Sequence, residues 1–148
     1  MLDYALFKMV VNNAPLISID LIIYNNKSEV LLGKRMNSPA RNYYFVPGGR
    51  IYKNETIDAA FRRICLAELG LHADFSSAKS LGVYEHFYQD AFVGADISTH
   101  YVVLAYELHL DLEITALPPV QHDQYIFMSV VQAKKDTTVH FYSQQYFN

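Results

Sequence analysis

Residues 48–71 read GGRIYKNETIDAAFRRICLAELGL, and this stretch decides what kind of molecule the chain forms. Gly48 and Gly49 have no Cβ, so the backbone there can turn tightly or let its carbonyls and amides approach a ligand; taken alone, the pair reads as a tight turn. From Thr56 to Leu69 apolar side chains recur at Ile57, Ala60, Phe61, Ile64 and Cys65, which predicts an amphipathic helix with Gly70 as its C-terminal stop. Glu68 follows Ile64 by one helical turn. It falls at the edge of the apolar stripe and in the last turn, where the helix dipole disfavours negative charge. Such a carboxylate needs a cation. Arg63 projects from another side of the helix, so a bound metal competes with a salt bridge as the partner.

Outward from this stretch the elements alternate. Leu16–Tyr24 and Glu29–Arg35 are β-branched or leucine-rich runs joined by the turn-forming Asn25-Asn26-Lys27-Ser28, which predicts a hairpin. Tyr43–Val46 reads as a strand that Pro47-Gly48-Gly49 must end. Leu81–Phe87 and His100–Leu110 are further strands around a polar loop, Gln89–Ser98, and Tyr125–Met128 is a short one. Ser129–Lys135 and Val139–Phe147 read as helices. The sum is a mixed β-sheet flanked by helices, an α+β fold arranged as an α/β/α sandwich, in one domain spanning residues 1–148.

Composition narrows the function. Half the residues are apolar (51%), with 12 Tyr, 9 Phe and no Trp, as in a compact folded chain. A net charge of −3 argues against long nucleic acid as a partner, since that requires a basic face. The single cysteine, Cys65, lies in the apolar helical pattern and reads as a core thiol. Neither a leader segment nor a membrane span is read in the chain, and the cytoplasm is the default expectation.

Gly49, five residues, Glu55, seven residues, Arg63, then Glu68-Leu69-Gly70-Leu71 resembles the signature box of the Nudix family. Ile64 and Ala67 stand where that box has glutamates. Within the family, the altered box resembles that of the GDP-mannose mannosyl hydrolases. Further blocks are similar to the same group: Pro15–Asp20, Leu31–Arg35, Phe45–Arg50, Glu85–Tyr88, Thr99–Leu104 and Gln121-His122-Asp123.

The resemblance implies a Nudix fold and a Mg²⁺-dependent hydrolase, with Mn²⁺ as a substitute and one cation per subunit. It would release GDP and free sugar from GDP-mannose, or a related GDP-hexose, by water attack at the anomeric carbon with inversion. It also implies a homodimer. His122 is implied as the general base, a role suited to an imidazole that titrates near neutrality, and no other group assigned to the site is expected to titrate there. The implied cation ligands are the Gly48 carbonyl, Glu68 and Gln121, with diphosphate oxygens and water completing a hard oxygen shell. Arg35, Arg50 and Arg63 match positions that contact the diphosphate or hold the site, and guanidinium suits phosphate through planar, charge-assisted donation. Asp20 shares a strand face with Ser18, opposite Ile17, Ile19 and Leu21, which turns it towards a polar cleft; the resemblance makes it a sugar- or base-orienting carboxylate. Tyr101 matches a leaving-group contact. His86 and His100 are conceivable sugar contacts, read at this stage as structural.

Two other readings fit the same residues. A conventional Nudix pyrophosphohydrolase would cleave between two phosphorus atoms, and a non-catalytic nucleotide-binding module would keep the fold without the chemistry. Retention of Glu68, Gln121 and His122 together argues against the second.

Overall fold

The computed structural model describes residues 2–118 and 122–147. Helix α1 (Tyr4–Asn13) leads into β1 (Leu16–Tyr24), β2 (Glu29–Arg35), β3 (Tyr44–Phe45) and β4 (Gly48–Arg50). Helix α2 (Ile57–Leu69) is followed by β5 (Lys79–Tyr88), β6 (Thr99–His109), β7 (His122–Ser129) and two short helices, α3 (Val130–Ala133) and α4 (Phe141–Gln144). The sheet runs β3-β2-β1-β6-β5, with β4 also on β1 and β7 also on β2. It is mixed: β1 and β6 pair in parallel from Leu16↔Tyr101 to Tyr24↔His109, and the other pairings are antiparallel.

The predicted hairpin is present only at its apex. β1 and β2 meet at the single register pair Tyr24↔Val30, next to a turn in which Asn25 Oδ1 accepts from the amides of Lys27 and Glu29. Beyond that point the two strands separate, and β4 takes up the edge of β1 while β3 takes up the edge of β2. The wedge between them is where the candidate site opens.

Both faces of this sheet are covered, so β1 carries a near-continuous apolar run instead of strict alternation. Ile19, Leu21 and Ile23 pack with Leu31 against Ala60, Phe61, Ile64 and Cys65 of α2. Ile22 faces the other way, with Val30 and Leu32, onto Ala133, Val139, Tyr146 and Phe147. Each fully buried Leu, Ile or Phe contributes about 1.5–3 kcal/mol relative to exposure. The expected α/β/α sandwich is the observed architecture.

Local signals explain the helix boundaries. Thr56 Oγ1 accepts from Ala59 N at 3.0 Å to cap α2, and Gly70 closes it in the left-handed region at φ 70°, its amide bonded to Leu66 O. Three expectations need revision. Pro47-Gly48-Gly49 is not merely a terminator, because Gly48–Arg50 forms β4 on β1. The segment Gln89–Ser98 is the expected loop, but its character is not simply polar, since Ala91, Val93 and Ile97 are buried against Val11 and Leu16. β7 is also longer than Tyr125–Met128, starting at His122. Helix α1, absent from the sequence reading, is capped by Asp3 and packs Phe7, Val10 and Val11 on the cluster of Leu16, Ala91, Val93 and Ile97. No helix among the described residues is long and apolar enough to cross a membrane.

Candidate active site

The β1–β4 ladder sets the first feature of the site. Leu21 N donates to Pro47 O and Ile51 N donates to Ile17 O, so positions 47, 49 and 51 face β1 in the alternating antiparallel pattern. The carbonyls of Gly48 and Arg50 therefore point away from β1. That of Arg50 accepts from Arg63 Nη2 on α2 at 2.7 Å, which shows the direction in which this edge faces. No larger residue fits at Gly48: a Cβ there would stand 2.5 Å from Ile19 O and 2.6 Å from Asp20 Oδ1.

Glu68 faces the same space. It is only 1% exposed, more deeply buried than its place at the stripe's edge implied, and it lines a cavity of about 280 Å³ with Gly48, Gly49, Arg50, Ile64 and Ala67. Burial pushes its carboxyl up to about 7, against weaker opposing effects of the Tyr125 hydroxyl, which donates to Oε2 at 3.4 Å, and of the Arg35 charge. No Lys, Arg or His among the described residues lies within ion-pair distance of it. A desolvated carboxylate and an outward-facing carbonyl that line one cavity suit a hard cation with oxygen ligands. Among the described residues no cluster of three or more His, Cys, Asp or Glu side chains gathers that could hold a metal, so such a cation would draw mainly on backbone, amide, substrate and water oxygens.

Across β4 lies a second cavity of about 380 Å³, lined by Ser18, Asp20, Arg35, Phe45, His86 and Tyr101 among others. Asp20 turns into it beside Ser18, as the strand parity predicted. Burial raises its carboxyl to about 6, partly offset by a 2.6 Å hydrogen bond from the Tyr146 hydroxyl and by the Arg35 charge. His86 is 5% exposed, stacks on Tyr142 at 4.2 Å and is held neutral by burial, its pKa lowered to about 4. Burial likewise raises the phenol pKa of Tyr101. His100 is elsewhere, stacked on Phe87 at 4.4 Å and 3.9 Å from Glu85.

The three arginines separate by partner. Arg63 is committed to holding the loop: Nε and Nη2 grip both oxygens of Glu55 at 2.7 and 2.9 Å, and the guanidinium lies 3.8 Å over the Tyr52 ring. Glu55 in turn accepts from Tyr52 N at 2.7 Å. Of the two roles the resemblance allows Arg63, the geometry displays the structural one. Arg35 and Arg50 have no carboxylate at ion-pair distance among the described residues. Arg35 lies 4.1 Å over Phe45, whose ring also stacks on His140 at 4.7 Å, and donates to Pro39 O; Arg50 sits over Phe7 and Tyr52. Arg35 lines the cavity of Asp20 and Arg50 lines both cavities, so a cationic fork faces each of them.

Gln121 lies outside the described residues, and of His122 and Asp123 the backbone is described but not the side chains. The backbone of His122 pairs with Arg35, which puts it at the end of β2 bordering the site. The expectation that no other site group titrates near neutrality is overturned, since burial brings both Glu68 and Asp20 into that range. Sequence reasoning missed Tyr146, Phe45, Phe7 and the pairing of Glu55 with Arg63. Only the last had a signal, in the acid–base spacing along the loop and helix.

Residues 14–147 match the NUDIX domain family. The chain is 44% identical over 105 residues to the low-salt glycan biosynthesis protein Agl8 of Haloferax volcanii, covering 71% of this chain and 65% of that protein. It is 34% identical over 76 residues to an RNA pyrophosphohydrolase of Orientia tsutsugamushi, covering 51% of this chain and 47% of that one. The chain thus spans less than two thirds of the length of either relative. The MutT protein of Methanosarcina mazei superposes with a TM-score of 0.72 at 17% identity, over 91% of this chain and 92% of that one, and so shares the fold. With the box residues of β4 and α2 gathered on one cavity and the match running nearly end to end, the chain belongs to the NUDIX domain family.

Proposed function

We propose that this Nudix protein hydrolyses a GDP-hexose, GDP-mannose or a close relative, to GDP and free sugar by attack of water at the anomeric carbon. The observation that carries the reading is the composition of the cavity around Glu68, where Ile64 and Ala67 line the wall that carboxylates would otherwise occupy. Stabilising attack at phosphorus with several cations needs more than one carboxylate. Expelling a diphosphate from carbon asks for less, because a neutralised diphosphate leaves without a general acid. The Agl8 similarity supports a role near glycan chemistry.

In this reading Gly48, Glu68 and Gln121 hold Mg²⁺ or Mn²⁺. The cation supplies charge neutralisation at the diphosphate. Arg35 and Arg50 bind the same phosphates by planar donation, with Tyr101 beside them. The sugar takes the polar cavity of Asp20 and His86, and the base takes the more apolar one. His122 accepts a proton as water attacks the carbon opposite the leaving oxygen; the C–O bond breaks and its electron pair departs with GDP, inverting the centre.

The test is hydrolysis of GDP-mannose in ¹⁸O water with Mg²⁺. Label in the free sugar, with GDP as co-product, is expected. GMP and sugar phosphate would overturn the reading and favour phosphoanhydride cleavage, the alternative that similarity to an RNA pyrophosphohydrolase supports.

A further inference from the structure

We infer that Tyr146, at the far end of the chain, is the positioning residue that sets which sugar the site accepts, by fixing Asp20 with one oxygen presented to the cavity. The inference rests on the glycosyl half of the substrate lying against Asp20. Tyr146 is 6% exposed in the 3₁₀ turn Gln145–Phe147 and packs edge-on to Tyr84 at 4.8 Å. It shares a core cluster with Ile22 and Val46, so the ring cannot shift without opening the core. From there its hydroxyl reaches back to β1 and bonds Asp20 Oδ2 at 2.6 Å.

A second acceptor competes for that proton at longer range. Tyr146 Oη lies 3.4 Å from His86 Nε2, which is also 3.1 Å from the Gln145 side-chain nitrogen. An amide nitrogen only donates, so with this amide orientation His86 Nε2 is an acceptor and the imidazole proton sits on Nδ1. The Tyr146 proton is then directed to Asp20, the charged and closer acceptor. Burial and the Asp20 charge raise the phenol's own pKa, so it remains a donor.

Asp20 is thereby tied from behind through Oδ2. Its other oxygen lies on the Gly48 side, where a Cβ on Gly48 would stand 2.6 Å away. One acceptor at one fixed place rewards a sugar hydroxyl of one orientation and leaves an epimer unpaired. A phenylalanine would fill the same core volume without a buried hydroxyl that needs a partner, so packing alone does not explain the tyrosine.

The experiment compares the wild-type chain with Tyr146→Phe, which keeps the ring, using GDP-mannose, GDP-glucose and GDP with Mg²⁺. Binding is read by calorimetry for all three, and kcat/KM by total product release for the two sugars. The ratio of kcat/KM between the hexoses should contract by on the order of tenfold, with GDP affinity unchanged. In an Asp20→Asn background the same change should add nothing, because the partner is already altered. An equal loss for GDP and both sugars, an unchanged hexose ratio, or additive effects with Asp20→Asn would overturn the inference. So would a wild-type chain that distinguishes the hexoses neither in binding nor in turnover. Hexose discrimination lost in Tyr146→Phe, but with GMP and sugar phosphate as products, would sink the reaction proposed above and leave the role of Tyr146 standing.

Discussion

Glu68 is buried at a cost: its carboxyl is desolvated and raised to about 7, with no basic side chain among the described residues at ion-pair distance. Glu68→Gln should therefore abolish most turnover and cation binding while leaving the metal-free fold at pH 8 no less stable than wild type, because an uncompensated buried charge is gone. Melting curves with and without Mg²⁺ check both parts, and a variant that still gains stability from Mg²⁺ would move the cation elsewhere. Arg35 is a different case, shaped by stacking as well as charge. Arg35→Lys should lower kcat by about tenfold or more, since an ammonium neither lies flat on Phe45 nor donates in a plane to a diphosphate gaining charge. Steady-state kinetics at saturating substrate would read this. Glu68 was legible in the sequence because its helical spacing and its dipole conflict are both local. Tyr146 was not, because its meaning is a contact with Asp20, which helical or strand periodicity does not encode.

The strands and the long helix were legible for similar reasons: β1 and β2 begin and end where the apolar runs do, and α2 stops at its glycine. Helix α1 was missed although its Asp3 cap and its Phe7, Val10 and Val11 spacing are both local, whereas β4 was hidden by the usual reading of Gly-Gly as a turn, which holds until a neighbouring strand offers hydrogen bonds. The loop between β4 and α2 is pinned by Glu55, so Glu55→Gln should free Arg63, loosen the Gly48–Arg50 edge and raise the Mg²⁺ concentration needed for half-maximal activity. An unchanged Mg²⁺ dependence would show that β4 is held without the clamp. For His122 on β7, the expected consequence of His122→Ala is a loss of roughly 10² to 10⁴ in turnover. Three groups, Glu68, Asp20 and His122, now compete to explain a fall in rate on acidification. The part that shifts with Mg²⁺ concentration belongs to Glu68, because cation and proton compete for it, and the part that stays fixed but vanishes in His122→Ala belongs to the imidazole.

For the whole molecule, stability depends on pH through buried groups that pull in opposite directions. The carboxyls of Asp20 and Glu68 lie at about 6 and about 7 in the folded chain, against ordinary values of 3.8 and 4.5, so these two groups bind more protons when folded, whereas His86 and His140, lowered by burial to about 4, bind fewer. Stability contributed by the two carboxyls is present below pH 4 and is lost as pH rises through 6 to 7, on the order of 3 kcal/mol for Glu68 alone. Divalent cation should reverse the loss, so Mg²⁺ should raise the melting temperature more at pH 8 than at pH 5; an equal rise at both would contradict it. The order of the strands has a separate consequence during synthesis. β1 finds its parallel partner only in β6, and β2 finds β7, so a nascent chain emerging from the ribosome can pair its most apolar strand with β4 but leaves the other edge of that strand open until the second half has been made. Residues 16–24 are then an open edge of leucine and isoleucine, which makes translation pauses before β6 the moments at which this protein is most exposed to aggregation and most in need of a chaperone.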